Sequence, residues 1–542
     1  MMKFSVLHGF RGLFGLYREE PIFAIIQVYY TEIFFMKKTA SLFLALLIAL
    51  SFTNIAFSAA DSDPVISNPY SDVDWHAVKQ YKTALHTHTN ASDGDITLRQ
   101  SLERHLETGF DIVATTDHGT VNYSWSEENP NKFIHTVLKL VNRTEGDFDY
   151  LGSEGRFENG VSYKLEKDEN GDDYLNADNG RVMMRVPYGI ENNAVSVNAH
   201  VNSWFVDYHD NSVTQYEDAV NGVCTRGGLC VINHPGEYSK ARAELHSENA
   251  YNEKDFSYRY LINKWAGLIE KYDNCIGIDM NSKGDDRTRF DRILWDKLLT
   301  RLSANGENVF AICSSDAHQA NKIDTGFIYA LMNSYDSASL KFAIKNGHIF
   351  GASHCIGNPD ELYQIADALK QYYGETDLYN DIYSTACEMT EKVRKIESSE
   401  LKADSRIGIT WSCLDDYGYC IAETQPVINL ITVDDTENTI SVSTTDALLV
   451  RWISDGKLIA TSKAGESVID LDDYRGSLGN YIRAEVFGEG GVVYTEPFIL
   501  NAQKNFGKSR VVDKTYFNLG FLDFLLPEIR NLFEIVKRVF HF

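Results

Sequence analysis

Short apolar, β-branched runs alternate with helix-like stretches between about Tyr81 and Phe350. The clearest runs are segments 111–116, 229–232, 275–278 and 309–313. Strands separated by helical stretches are typical of a parallel α/β arrangement, in which helices connect neighbouring strands. The pattern therefore predicts an α/β sheet or barrel in this part of the chain.

One helix of this region has a complete sequence signature. Thr97 and Gln100 have the spacing of a capping box, and Leu98, Leu102 and Leu106 keep one face apolar. Gly109 follows, where a helix commonly ends. A helix is thus predicted from about residue 98 to residue 108.

The pattern changes after residue 355. Residues 356–405 are charged and helix-like, which predicts a helical connector, and residues 406–502 alternate like strands with turn signals. The second stretch predicts a separate small β-sandwich. Residues 503–542 end in apolar positions at helical spacing from Phe521 to Phe542. We expect that tail helix to dock on the body, and a membrane-surface helix is the alternative.

Composition and charge restrict the partners. The 542 residues are 44% hydrophobic, which excludes a disordered chain, and they carry 51 Lys and Arg against 77 Asp and Glu, a formal charge of -26. A surface with this charge repels phosphate backbones and anionic lipids at long range. The charge therefore argues against a nucleic-acid partner and favours small molecules.

An export signal is predicted at residues 36–60. Lys37 and Lys38 precede an apolar run from Ala40 to about Phe52, and small residues follow at Ser58–Ala60. Residues 1–35 are interpreted as an over-extended start, with Met36 as the initiator. Cleavage near Ala60 would leave a secreted or cell-surface protein without a membrane span. The alternative is an uncleaved anchor, because the apolar run could just cross a bilayer.

The eight cysteines all follow this signal, where disulfides are permitted. Cys224 with Cys230, and Cys413 with Cys420, are close enough in sequence to close small loops. The pairing itself does not follow from the sequence.

Histidines and aspartates cluster where four apolar runs end. The clusters are His86-Thr-His88 with Asp93, Asp117-His118, Asn233-His234 and Asp316-Ala-His318. Because parallel strands bring their carboxyl ends together around one pocket, we expect these side chains to converge. Nitrogen and carboxylate ligands without thiolates suit zinc, manganese or iron.

In these motifs and their order, residues 80–355 resemble the PHP (polymerase and histidinol phosphatase) superfamily of metal-dependent phosphoesterases. The resemblance implies a distorted (β/α)7 TIM-like barrel that holds two or three divalent metal ions. It also implies a bridging glutamate, for which Glu154 fits best and Glu158 is the alternative, and a further histidine, His200. The long polar stretch of about residues 160–198 is then interpreted as an excursion over the site mouth.

Carried over to this chain, the resemblance implies three ligand sets that share Glu154. They are His86, His88, Glu154 and Asp316 for the first metal, Glu154, His200 and His234 for the second, and Asp93, His118 and His318 for the third. Glu154, Asp316 and His318 are expected to act most directly in catalysis. Among other residues, segment 278–281 is expected to support the ligands, His105 to lie on the surface and His354 to lie away from the mouth.

The leading hypothesis is therefore an exported phosphoesterase that acts on small phosphorylated compounds, such as nucleotides or sugar phosphates, through a metal-bridging hydroxide. The β-rich segments 450–456, 481–486 and 494–498 also resemble the secreted carbaryl-hydrolase branch of the superfamily. That resemblance keeps open a carbamate, ester or amide hydrolase with the same metal site. A 5′-3′ exonuclease and an extracellular binding module are further alternatives. The module would have no need to gather costly ionisable groups in one pocket.

Overall fold

The computed structural model describes residues 65–130, 150–193, 199–209, 215–239, 241, 244, 246–280, 288–397, 419–420 and 424–500. The predicted signal, the tail helix and most of segment 398–423 lie outside these residues. Within the described part, no helix combines the length and the apolar character needed to cross a membrane.

The described chain has a mixed α/β architecture. Its strands, in chain order, are β1 (Ile66–Ser67), β2 (Lys79–Ala84), β3 (Ile112–Val113), β4 (Glu154–Arg156), β5 (Ser162–Lys167), β6 (Asp173–Ala177), β7 (Val182–Arg185), β8 (Ile190–Asn192), β9 (Val201–Trp204), β10 (Leu229–Ile232), β11 (Cys275–Met280), β12 (Phe310–Cys313), β13 (Gly326–Met332), β14 (Ile349–Ser353), β15 (Cys355–Ile356), β16 (Tyr419–Cys420), β17 (Val427–Asp434), β18 (Thr439–Thr445), β19 (Leu449–Ser454), β20 (Lys457–Lys463), β21 (Glu466–Asp470), β22 (Tyr481–Gly488), β23 (Gly491–Thr495) and β24 (Phe498–Leu500). The α-helices are α1 (Leu98–Glu107), α2 (Tyr216–Cys224), α3 (Phe256–Lys271), α4 (Asp291–Leu302), α5 (Ser337–Asn346), α6 (Pro359–Tyr373) and α7 (Asp377–Glu397).

Two sheets carry the candidate site. The larger sheet contains β2, β3 and β7 side by side, and β2–β3 and β3–β7 are parallel pairs. The second sheet has the order β12-β11-β10-β9-β8, in which β10–β11 and β11–β12 are parallel and the other pairs are antiparallel. Isolated bridges at Thr87–Ala317 and His118–Glu191 join the chain just after β2 and β3 to the two edges of the second sheet, after β12 and at β8. The strand ends of both sheets therefore face one region.

Helix α1 forms as its sequence predicts. The Thr97 hydroxyl accepts from the Gln100 amide, and the Gln100 side chain accepts from the Thr97 amide, so both partners of the capping box are present. Leu98, Leu102 and Leu106 are buried. After the helix, Gly109 has a φ of 88°, a conformation that costs glycine little.

Within the predicted excursion, three strands of the described residues 160–193 extend the larger sheet. Strands β5, β6 and β7 pair antiparallel with one another, and Val182–Arg185 lies beside β3. The described part of this segment is thus built into the sheet, and its position over the site mouth stays a prediction. Apolar residues such as Leu175, Met183 and Met184 are fully buried, which explains why the segment enters the sheet.

The β-rich region also differs from the predicted separate sandwich. Strands β17, β18 and β21 form a sheet of their own, whereas β22, β23 and β24 belong to the larger sheet. The connection is the antiparallel pair of β23 with β14. Helices α6 and α7 lie within the predicted helical connector.

Candidate metal centre

The loops after β2 and β12 bring the first cluster together. The His88 amide donates to the Ala317 carbonyl at 2.9 Å, which fixes the two loops side by side. Asp316 Oδ1 then lies 3.2 Å from His86 Nε2 and 3.0 Å from His88 Nε2. All three side chains are buried. Two imidazoles and one carboxylate thus point their ligand atoms at one point.

Two residues of the cluster have a strained backbone. Asp316 has a φ of 46° and His234 a φ of 22°, in a range that non-glycine residues rarely adopt. Such strain persists only where the surrounding structure holds it, and it concentrates at functional sites. In both places it directs a ligand side chain into the cluster.

Glu191 lies at the centre of the cluster. It is on β8 and is fully buried. Its Oε1 lies 2.8 Å from His200 Nδ1 and 3.2 Å from His234 Nε2. Its Oε2 lies 2.9 Å from His118 Nδ1, 3.3 Å from His88 Nε2 and 3.7 Å from His86 Nε2. One carboxylate therefore contacts imidazoles from several strands.

The sheet edges place Glu191 there. Its strand pairs antiparallel with β9, which leads from His200, and the residue forms a bridge with His118. Asn233 Nδ2 donates to Glu191 Oε1 at 2.7 Å. Backbone pairing on both sides and one amide donor thus fix the position of the carboxylate.

A second, more exposed group surrounds Asp93. Asp93 Oδ1 lies 3.3 Å from His318 Nε2 and 3.6 Å from His88 Nδ1, and Oδ2 lies 3.5 Å from His118 Nε2. The Asp93 and His318 side chains are 32% and 30% exposed, so this group faces solvent. A side chain at Gly94 would meet the His88 and Thr89 backbone at 2.9 Å, and the tight loop therefore requires glycine.

Further carboxylates hold the histidines from behind. His86 Nδ1 donates to Asp279 Oδ2 at 2.8 Å, and the Ser314 hydroxyl donates to Asp279 Oδ1 at 2.6 Å. Glu237 Oε2 lies 3.2 Å from His234 Nδ1. A carboxylate behind a histidine fixes its ring and tautomer and leaves the opposite nitrogen as a metal ligand. The predicted supporting role of segment 278–281 has a structural counterpart in Asp279.

The charges of the cluster depend on one another. Burial would raise the pKa of Glu191, but His118, His200 and His86 outweigh it and hold that pKa well below its ordinary value. Burial likewise opposes protonation of His86, and the Asp316 and Glu191 carboxylates raise the pKa of that histidine well above its usual value. Positive charge is thus what this buried group of carboxylates requires.

The structure brings all the predicted ligands together except Glu154. Those it gathers are His86, His88, Asp93, His118, His200, His234, Asp316 and His318. Glu154 lies on β4, exposed, with Lys164 as its partner across β5, and Glu158 is exposed as well. The placement of Glu154 was therefore wrong, because strand β4 lies at the far edge of the larger sheet.

Glu191 and Glu237 both lie in groups that could hold a metal ion, and neither is among the ligands predicted from sequence. Glu191 is the more central of the two. Its signal is present in the sequence: Ile190-Glu191 follows an apolar stretch and precedes His200 by nine residues. Interpreting this stretch as an excursion leaves out the strand Ile190–Asn192, in which Glu191 is the middle residue.

Two other histidines were assigned from sequence. His105 is fully buried against Phe110, with ring centroids 4.9 Å apart, so the prediction of a surface position was wrong. His105 and Ser101 lie one turn apart on the same side of α1, and that side of the helix is buried. His354 Nδ1 donates to the Gly490 carbonyl at 2.6 Å, and its Nε2 lies 3.6 Å from Asp324.

The donor set fits divalent metal ions. The clustered atoms are imidazole nitrogens and carboxylate oxygens, which zinc, manganese and iron accept. Glu191 Oε2 is buried and accepts no hydrogen bond, although three imidazole nitrogens lie within 3.7 Å of it. A buried carboxylate oxygen without a donor is costly unless a cation compensates it. The residues thus have the donor atoms of a metal centre and a buried carboxylate charge that a bound cation would compensate.

Comparison with known proteins gives likenesses among solved structures. No protein-family model matches the chain, and no curated protein does. Among solved structures, the chain is similar to a two-domain protein containing a predicted PHP-like metal-dependent phosphoesterase from Bacteroides vulgatus ATCC 8482. The identity is 13%, the match covers 81% of this chain and 100% of that one, and the TM-score is 0.33. This likeness is too low to transfer residue roles or a substrate.

Proposed function

We propose that this chain is an exported, metal-dependent phosphoesterase of the PHP type that hydrolyses small phosphorylated compounds such as nucleotides or sugar phosphates. The observation that carries the proposal is Glu191, a fully buried carboxylate among histidines from several strand ends. Each neighbouring group of three or more ligand atoms is small enough to hold one ion.

The ligand sets are those that the resemblance implies, with Glu191 in the place first given to Glu154. They are His86, His88, Asp316 and Glu191 for one ion, Glu191, His200 and His234 for a second, and Asp93, His118 and His318 for a third. In support, the ligand atoms of His86, His88 and Asp316 lie close together, as do those of Asp93, His118 and His318, and Glu191 Oε1 lies 2.8 Å from His200 Nδ1 and 3.2 Å from His234 Nε2. Bound divalent ions would supply a nucleophile from water at neutral pH and neutralise charge on a phosphoester.

The buried and the solvent-facing residues of the site have different roles in this proposal. Glu191 and Asp316 are buried and would supply the negative charge that binds divalent ions. His318 and Asp93 face solvent, where a substrate would arrive. Asp279 keeps the His86 ring in place from behind. The net charge of -26 favours small substrates over long polyanions, which the surface would repel.

The proposal includes a divergent PHP-type barrel for residues 80–355. Parallel pairing of β2 with β3 and of β10, β11 and β12 supports it. Further support comes from the bridges Thr87–Ala317 and His118–Glu191, which close the ring of strand ends around the cluster.

A substrate panel tests the function. Purified protein is stripped with a chelator, reloaded with manganese, zinc or iron, and assayed on a nucleotide, a sugar phosphate, a carboxylester and a carbamate. We expect turnover of the phosphoesters that depends on the added metal. Turnover of the carbamate or carboxylester alone would leave a metal-dependent hydrolase and reject the phosphoesterase. A protein that binds no metal would reject both.

Asp93→Ala separates the two hydrolase chemistries. The substitution removes the carboxylate of the solvent-facing group. A phosphoester depends on an ion bound there more than a carboxylester does, because only the phosphoester carries anionic oxygens. Phosphoester kcat/KM should fall roughly 10- to 100-fold, and any carboxylester activity should fall less. Asp95→Ala is the matched control, since Asp95 is exposed in the same loop and accepts only from Gln319. Equal losses on both substrates would contradict the assigned role of Asp93.

Export is tested separately by amino-terminal sequencing of the protein recovered from culture medium and from the cell surface. A mature chain that begins near Asp61 is expected from the predicted signal. A chain that retains Lys37 and Lys38 would support the membrane anchor instead.

A further inference from the structure

Three cysteine side chains meet on the side of the second sheet that packs against helix α2. Cys224 is the last residue of α2, Cys230 lies in β10, and Cys275 begins β11. Cys230 and Cys275 are paired across the two strands, and the Cys224 and Cys230 sulfurs are 3.7 Å apart. The Cys224 and Cys230 thiols are therefore within hydrogen-bonding distance of each other.

The three thiols differ in access. Cys230 and Cys275 are fully or almost fully buried among apolar side chains, whereas Cys224 is half-buried at the end of its helix. Among the described residues, the groups that could hold a metal ion contain histidines and carboxylates and no cysteine. The arrangement is therefore one accessible thiol in contact with one inaccessible thiol.

We propose that Cys224 and Cys230 are an oxidation site, at which a small-molecule disulfide converts the pair into an intramolecular disulfide. The Cys224 thiolate attacks one sulfur of the small disulfide, forms a mixed disulfide and releases the first thiolate. The Cys230 sulfur then attacks Cys224 Sγ, loses its proton and expels the second thiolate. The two protein thiols are oxidised, the small disulfide is reduced to two thiols, and their protons come from Cys224 and Cys230.

The exposure and spacing of the sulfurs determine which cysteine reacts first and which one completes the disulfide. Only Cys224 is exposed enough to meet the oxidant, and Cys230 is the thiol in measured contact with it. The two sulfurs are already in contact at 3.7 Å, against roughly 2.05 Å in a disulfide, and the Gly228 amide donates to the Val223 carbonyl, which returns the chain to the helix end. The bond would tie α2 to β10, the strand that leads to Asn233 and His234.

The test uses the full chain and glutathione disulfide as the probe. Protein is incubated over a range of glutathione disulfide to glutathione ratios, quenched with an alkylating agent, digested and analysed by mass spectrometry. We expect peptides linked through Cys224 and Cys230, lower in mass by two hydrogens, with Cys275 alkylated after unfolding. Cys230→Ser should instead stop at the mixed disulfide and carry one glutathione on Cys224.

Two controls make the result specific. Cys387→Ser removes another half-buried cysteine and should leave the linkage unchanged. Cys275→Ser should also retain it, which shows that the third thiol is not required. The proposal is overturned if Cys230 links to Cys275 instead, if Cys224 stays fully alkylated at every ratio, or if folded Cys230→Ser gains no glutathione. Circular dichroism of each variant establishes that it is folded.

Discussion

Glu191 and Glu154 provide a direct comparison at the scale of single residues. Glu191→Gln keeps the size of the side chain and removes the charge that the surrounding histidines contact, so metal content and kcat should both fall. Glu154→Gln should change neither, because that side chain is exposed on β4. Elemental analysis of dialysed protein, with kinetics on the best phosphoester, measures the difference. Loss of metal in Glu154→Gln with full metal in Glu191→Gln would reverse the assignment.

Asp279 is predicted to act through His86. In Asp279→Asn the amide can no longer accept with the strength of a carboxylate, so the His86 ring loses its fixed tautomer and metal affinity should fall roughly 10- to 100-fold. Ser314→Ala, which removes only the hydroxyl behind Asp279, should have a smaller effect in the same direction. Metal affinity is measured by competition with a chromophoric chelator. An unchanged affinity in folded Asp279→Asn would show that Asp279 does not position the ligand.

At the scale of elements, helix α1 contains a buried titratable group away from the centre. Burial lowers the pKa of His105 to about 4, and the Ser101 carbonyl accepts from its Nδ1 at 2.7 Å. The unfolded chain therefore takes up this proton first, near pH 6.5, and the contribution to stability falls as the pH drops from about 6.5 to about 4.

The variant His105→Leu isolates this effect. The free energy of unfolding of the wild type, relative to His105→Leu, should decrease by about 3 kcal/mol between pH 7 and pH 4. Urea unfolding at both pH values measures it, with the exposed His76→Gln as the control. If the difference between wild type and His105→Leu is the same at both values, His105 does not stay neutral in the folded protein.

At the scale of the whole molecule, a buried ion network joins the α/β part to the β-rich part. Glu485 on β22 receives hydrogen bonds from Arg292 on α4, Arg451 on β19 and Arg483, and Arg483 also donates to Asp296. All lie in a region where unpaired charge is costly. The two regions are therefore held by charges that are satisfied only together.

Glu485→Gln should destabilise the protein strongly. It removes the charge of the one carboxylate that contacts all three guanidinium groups, although Arg292 and Arg451 keep Glu361 and Arg483 keeps Asp296. Loss of one partner from a buried ionic group typically costs about 3–5 kcal/mol. Glu391→Gln is the contrast, because it removes an exposed pair with Arg394 and should cost less than about 1 kcal/mol. Denaturant unfolding compares them, and similar small losses in both would show that the network does not join the two regions energetically.

The sequence alone determined the local features of this protein. The capping pair Thr97 and Gln100 with an apolar stripe defined α1, and histidines directly after apolar runs identified most of the cluster. These features depend on neighbours in the chain, and parallel strands necessarily bring their carboxyl ends together.

Only the tertiary structure decided which carboxylate reaches the histidines. Glu154 and Glu191 both occur in short strands between the same motifs, but β5, β6 and β7 separate β4 from β3, whereas β8 is bridged directly to His118. The burial of His105 and the pairing of β23 with β14 are likewise consequences of distant segments. The hydrophobic period of a segment shows whether it forms a helix or a strand, but not which strand it pairs with. Strand pairing depends on how the whole sheet buries its apolar faces.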